Sequence, residues 1–227
     1  AGYIYGLLVG SSLLSENCKK ILLLVGDTPT KSAGNGLDAT DDAPIFGDGG
    51  SATIIDYDIN AEDIVFDIGT QGVNYDAIIA KNGGYRNCPK KEMFDENGNF
   101  DYGHEMDGLK VFDFTMNIVP PSINRVIEIK NLKSDDIDYF VFHQANKMIM
   151  QNIAVSANID VNRVLVETLS KYGNLSCASI PSVICDEYEK FDKLSTNIVM
   201  SGFGIGLSWG SAYVKLDKPN ILPIIYF

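Results

Sequence analysis

A wholly apolar run, Tyr139-Phe140-Val141-Phe142, breaks without a spacer into His143-Gln144-Ala145-Asn146 and then into a helical stretch from Lys147 to Ala157. A strand that hands over to a helix within four residues buries itself most readily in a layered α/β fold. The rest of the chain repeats that alternation. Gly2 to Leu14 reads as a helix, with Ile4, Leu7, Leu8, Ser11 and Leu14 on one face and Gly2, Gly6 and Gly10 allowing close packing. Being apolar all round, it is expected in the interior. Lys19 to Asp27 reads as a strand buried on both faces, and Ser51 to Tyr57 as a second strand. Val111 to Ile129 reads as a helix that Pro120-Pro121 should bend or restart. Val164 to Lys171 is a short helix closed by Gly173. Another helix starts at Ser179 and Pro181, with Ile184, Tyr188 and Phe191 as its buried stripe. Asn197 to Leu216 is a hairpin turning through Gly202 to Gly206. The long polar stretch 81–106 is a connection, and its His104 is expected in solvent.

Composition removes several function classes. The net charge is −12, whereas a phosphate-binding face needs clustered Lys and Arg, so no nucleic-acid partner is expected. No apolar run reaches the length of a membrane span, and no signal peptide is evident, so the expected location is cytoplasmic, with no membrane partner. Cys18, Cys88, Cys177 and Cys185 are scattered, without a Cys-x-x-Cys pair, and there are two histidines. Reduced thiols, no metal site and no cofactor are expected.

His143 and Asn174 are the residues that carry chemistry. Each ends or follows a regular element, and ligands of α/β folds gather at the carboxyl ends of strands. A neutral imidazole and a carboxamide together polarise a thioester carbonyl or steady a carbanion. Taken singly, His143 is more often a satisfied core histidine, and Asn174 after Gly173 is more often a turn residue. Cys177 invites a reading as nucleophile with His143 as base. It sits among Ser176, Ala178 and Ser179, however, and reads better as a packing residue. Gly202 to Gly206 lacks the following helix that a dinucleotide fingerprint requires. Such a loop lets a backbone N–H approach a ligand oxygen, although alone it is more simply a tight hairpin.

Taken together, His143-Gln144-Ala145-Asn146, Lys171-Tyr172-Gly173-Asn174-x-Ser176-x-Ala178-Ser179-Ile180-Pro181 and Gly202-Phe203-Gly204-x-Gly206-Leu207-Ser208-Trp209-Gly210 resemble the signatures of β-ketoacyl-acyl-carrier-protein synthase III. Phe46-Gly47-Asp48-Gly49 adds a block in the right order, and the resemblance spans essentially the whole chain. It implies a thiolase-like five-layer αβαβα fold of two similar halves, usually a homodimer. Residues 1–80 would be the end of the first half, 81–106 a connecting region and 107–227 the second half.

The resemblance also implies an acyltransferase using a Cys-His-Asn triad. Cys takes an acyl group from acyl-CoA; His and Asn promote decarboxylation of a malonyl thioester and steady the enolate for Claisen condensation. Carried over, His143 and Asn174 are the catalytic pair. Ile205 supplies an oxyanion-hole N–H, and Phe112, Ala145, Asn146 and Phe203 line the pantetheine and acyl channel. Ala1-Gly2-Tyr3 resembles the residues that follow the Cys, which is therefore expected just before residue 1. CoA or phosphopantetheine thioesters are substrates on this reading.

Three basic positions of the family's tunnel mouth fall here near Thr40, at Asp113 and at Met148, although Lys147 is adjacent. An acidic carrier protein meets a less complementary face, which implies a specialised acceptor. The alternatives are acyl transfer to a hydroxyl or amine, and a non-catalytic thioester-binding or partner subunit.

Overall fold

The computed structural model describes residues 1–33 and 45–226; the expectation at Thr40 lies outside them. The first helix, α1 (Gly2–Leu13), buries Tyr3, Ile4, Leu7 and Gly10. It packs on β1 (Lys20–Asp27), which pairs antiparallel with β2 (Gly49–Asp56). The contact depends on missing side chains. A Cβ at Gly6 would lie 2.7 Å from Leu23, and one at Gly10 would lie 2.9 Å from Ile55. A one-turn helix, α2 (Thr30–Ala33), follows β1.

The expectation that β1 is buried on both faces fails for these residues. Burial alternates along it, and Leu22, Leu24 and, on β2, Ile54 are 59%, 66% and 64% exposed. In this two-stranded sheet α1 covers one face through Leu23, Val25 and Ile55, while on the other Leu22, Leu24 and Ile54 are exposed among the described residues.

The main sheet has four strands in the order β3 (Val65–Thr70), β8 (Ser208–Asp217), β7 (Ser195–Gly204) and β6 (Tyr139–Phe142). Here β6 runs parallel to β7, and the other pairs are antiparallel. Val65 to Thr70 hydrogen-bond along β8, so this sheet draws strands from both sides of residue 80.

Strand alternation feeds two cores, one on each side of this sheet. Phe140, Phe142, Val199 and Tyr213 join α3 (Gly108–Ile129) and α4 (Lys147–Ser156) on one side. Val141, Ile198, Met200 and Ala212 join α1 and α6 (Ser179–Asp186) on the other. The expected α/β layering is thus present, with helices on both faces.

Three other expectations change. α3 runs unbroken for 22 residues through Pro120 and Pro121, its start capped by the Asp107 carboxylate accepting from the Lys110 N–H at 3.1 Å. The two prolines remove two donors from the ladder, and tertiary packing of Val119, Pro120 and Ile123 holds the helix together. The helix expected over 164–171 shrinks to α5 (Thr168–Tyr172), because Leu165 N–H is drawn to the Phe140 carbonyl, 3.1 Å away, and Val164 bridges Phe140 in parallel. Tyr188, expected in a buried stripe, is 40% exposed, while Phe191 is buried.

Residues 81–106 form a connection closed by a short hairpin of β4 (Ile78–Ala80) with β5 (His104–Met106). His104 stands exposed there, its ring 5.7 Å from that of Tyr102. Among the described residues no helix is long and apolar enough to cross a membrane.

Candidate functional site

His143 is the first residue past β6, and its own N–H continues the parallel ladder by donating to the Ser201 carbonyl at 2.8 Å. Gln144 fixes the turn behind it. Its side-chain amide is buried and donates to the carbonyls of Phe142 (2.9 Å) and Leu165 (3.2 Å). Asn146 then caps α4, its side-chain oxygen accepting from the Ile149 N–H at 2.8 Å. The imidazole meets the edge of the Phe203 ring at 5.5 Å.

Its basicity is heavily suppressed. Burial, the largest cause, holds the His143 pKa down from 6.5 to about 3, against the opposing effect of a hydrogen bond with the Ser176 backbone. The imidazole is therefore neutral at physiological pH. A neutral imidazole has one donor and one acceptor nitrogen, so it can donate a hydrogen bond without carrying charge.

Asn174 is positioned by a different device. Gly173, with φ of +72°, turns the chain out of α5. The segment Ile45-Phe46-Gly47 then lies alongside it: Asn174 N–H donates to the Ile45 carbonyl (2.7 Å), and Gly47 N–H to the Asn174 carbonyl (3.1 Å). Neither partner tolerates a Cβ. One at Gly173 would lie 2.7 Å from the Ile45 oxygen, and one at Gly47 would lie 2.0 Å from the Tyr172 oxygen. This explains why Phe46-Gly47-Asp48-Gly49 and Tyr172-Gly173-Asn174 occur together. The Asn174 side-chain oxygen accepts from the Ser176 N–H at 2.9 Å, which leaves its NH₂ as the group available to a ligand.

Ser176 was not singled out by sequence reasoning, yet it touches both members of the pair. Its backbone has a φ of +51°, a conformation costly for a residue other than glycine, asparagine or aspartate. The Asn-x-Ser spacing of an Asx turn was the available signal.

The amino end of α1 completes the arrangement. A Cβ on Gly202, next to the Ser201 that receives His143, would lie 3.1 Å from Ala1 Cα and 3.6 Å from its nitrogen. On the other side Gly2 abuts Cys177, whose thiol donates to the Gly26 carbonyl at 3.5 Å. Cys177 packs at this junction, as its small neighbours suggested. The positive end of the α1 dipole thus opens onto the space beside His143.

A cleft of about 470 Å³ runs from Ile45 and Phe46 past Ala145 and Asn146 to Lys171, Tyr172 and Gly173. Of the residues expected to line a channel, Ala145 and Asn146 do so. Phe112 is partly buried against the α3-side core, and Phe203 is 4% exposed and backs His143. Ile205 lies in the turn after β7 with its side chain 69% exposed and its carbonyl accepting from the Ser208 hydroxyl at 2.9 Å. Asp113 and Met148 are exposed, and Lys147 faces Glu167 at 3.7 Å. Among the described residues no group of three or more His, Cys, Asp or Glu side chains is placed to hold a metal ion.

Residues 127–216, which contain β6, His143, Asn174 and the β7–β8 hairpin, match the family described as 3-oxoacyl-[acyl-carrier-protein] synthase III, C terminal. A putative 3-oxoacyl-[acyl-carrier-protein] synthase 3 from Campylobacter jejuni is 34% identical over 98% of this chain and 64% of its own length. A β-ketoacyl-[acyl-carrier-protein] synthase III from Clostridioides difficile is 33% identical over 95% of this chain and 64% of its own. Over nearly its whole length the chain is thus similar to synthase III proteins. A solved structure of the 3-oxoacyl-(acyl-carrier protein) synthase from Burkholderia xenovorans matches this chain with a TM-score of 0.85 at 33% identity, covering 98% of it and 63% of the solved chain. The thiolase-like architecture of that family is therefore the architecture here. The priming β-ketosynthase of the R1128 polyketide pathway, with a TM-score of 0.77 at 22% identity, shares the fold. The chain spans 64% of the length of these curated relatives.

Proposed function

We propose that this chain carries the condensing half of a 3-oxoacyl-[acyl-carrier-protein] synthase III-type acyltransferase, with His143 and Asn174 polarising a malonyl thioester carbonyl. The observation that carries the reading is a neutral imidazole and a fixed carboxamide that both engage the Ser176 backbone, with the amino end of α1 packed against Gly202 nearby. When the malonyl carboxylate leaves as CO₂, its electron pair passes into an enolate whose oxygen gathers negative charge. Donors preorganised toward that oxygen stabilise it without protonating it. An imidazolium would risk quenching the enolate by proton transfer; a histidine held neutral does not.

The enolate carbon then bonds to the acyl carbon of a thioester, and the thiolate departs. The thiol that holds this acyl group is assigned to a Cys immediately preceding Ala1. Support comes from the place of Ala1 itself, wedged against Gly202 beside His143, where the α1 dipole would lower a thiol's pKa. The backbone N–H of Ile205 is the second donor to the acyl oxygen. No metal or other cofactor takes part. Acyl-CoA and a malonyl thioester are the substrates, and a homodimer is the working assembly.

The acceptor is a specialised one. Asp113 and Met148, standing where the family has basic residues, and Lys147, engaged by Glu167, offer little positive charge to an acidic carrier protein. The deciding experiment incubates the intact protein with acetyl-CoA and then malonyl thioesters. A gain of one acetyl mass on the residue before Ala1, followed by CO₂ release and a 3-oxoacyl product, is expected. An ester or amide product without CO₂ would replace condensation by simple acyl transfer, and the absence of any acylation would leave a thioester-binding subunit.

A further inference from the structure

Past β8 the chain follows a course that the site's own residues do not require. Lys218 adopts a left-handed backbone with φ of +45° and donates its N–H to the Leu194 carbonyl at 3.1 Å, turning the chain away from the sheet. Ile221 packs onto the core beneath α1 and α6. Tyr226 then reaches α5, where its hydroxyl shares a 2.6 Å hydrogen bond with that of Tyr172 and the two rings lie 6.0 Å apart. These residues lie beyond the stretch 127–216 that matches the family's C-terminal domain.

We infer that the segment Lys218 to Tyr226 is a strap that positions Asn174, acting through Tyr172. Asp186 on α6 is the anchor. Its carboxylate accepts from Thr168 (2.8 Å), from Lys171 (2.9 and 3.0 Å) and from Tyr172 (3.4 Å), so every turn of α5 is tied to it. The Tyr172 hydroxyl thus sits between the Asp186 carboxylate, which only accepts, and the Tyr226 hydroxyl, with which either tyrosine can donate. The Tyr226 bond, the largest cause, raises the Tyr172 pKa well above the usual phenol range, so the Tyr172 hydroxyl stays protonated.

Tyr172 also holds the site from its backbone side. Its carbonyl is the atom against which Gly47 is packed, and Gly173 and Asn174 follow it directly. Fixing the Tyr172 ring thus fixes the strand-like bridge between Phe46 and Asn174. Lys171, Tyr172 and Gly173 also form one wall of the cleft, so the strap sets the position of that wall as well. Tyr172 and Tyr226 are positioning residues here. The inference rests on the proposed role of Asn174 only for its effect on turnover; the tethering of the loop stands apart from it.

The test uses the intact protein with Tyr226→Phe, Tyr226→Ala, Tyr172→Phe and the double Phe variant. Amide hydrogen exchange over residues 168–176 should quicken about three- to ten-fold in each single Phe variant, while β7 and β8 stay unchanged. Condensation kcat should fall several-fold with KM for the acyl-CoA within about two-fold. The double Phe variant should match Tyr172→Phe, which already removes the shared bond together with the contact to Asp186, and Tyr226→Ala should be worse than Tyr226→Phe for losing the ring. Unchanged exchange in 168–176, or strictly additive losses in the double variant, would overturn the strap. Quickened exchange with no condensation in the parent protein would instead reject the functional reading and keep the tether.

Discussion

A neutral histidine is the residue-scale device on which the site turns. The folded pKa of about 3 lies far below the ordinary 6.5. Between these values the unfolded chain binds a proton that the folded chain refuses, so stability falls as pH drops through this window and no further below it. One such group contributes at most about 1.4 kcal/mol per pH unit. Urea melts from about pH 7 down to about pH 4 should therefore show a steeper loss for the parent than for His143→Gln, which lacks the titrating ring. Parallel curves would mean that His143 is protonated in the fold. In turnover, His143→Ala and Asn174→Ala should each lower malonyl decarboxylation about 10²- to 10³-fold, the usual cost of removing one preorganised donor. Acylation by acyl-CoA should survive both substitutions, and mass spectrometry of the acylated protein checks this.

Elements bring these residues together by close approach rather than by side-chain contact. Gly47 and Gly173 let two backbone segments touch, and that touch holds Asn174. Gly173→Ala combines a φ of +72° with a Cβ 2.7 Å from a carbonyl oxygen, and should cost on the order of 1–3 kcal/mol in chemical denaturation. Gly72→Ala, where a Cβ meets nothing within 4 Å, is the control and should change little. The β1–β2 pair makes a different prediction. Its bare face carries Leu22, Leu24 and Ile54, and exposed apolar strands associate. Light scattering of the 227-residue chain should show less self-association after Leu22→Lys with Ile54→Lys; an unchanged profile would mean that this face takes no part.

For the whole molecule, charge governs what approaches the cleft. A net charge of −12 repels acidic carrier proteins over distances of about a Debye length. Raising ionic strength from about 20 to 200 mM should therefore speed condensation with an acidic carrier thioester, measured as kcat/KM. A rate that falls with salt would reveal a basic docking face that Asp113, Met148 and the Glu167-paired Lys147 do not suggest.

The sequence by itself determined the layering and pointed to His143 and Asn174 as the candidate residues. The apolar run before His143, the helical period after it and the glycine-flanked Asn174 are local patterns, and local patterns are written in consecutive residues. Only the tertiary structure decided the rest. The unbroken course of α3 through two prolines follows from burial of its flanking side chains, and the pairing of β3 with β8 joins residues about 140 positions apart. The neutrality of His143 comes from the protein packed around it, and the orientation of Asn174 from Ser176 and a segment ahead of β2. Such properties arise from desolvation and from contacts between distant segments, which no single stretch of sequence contains.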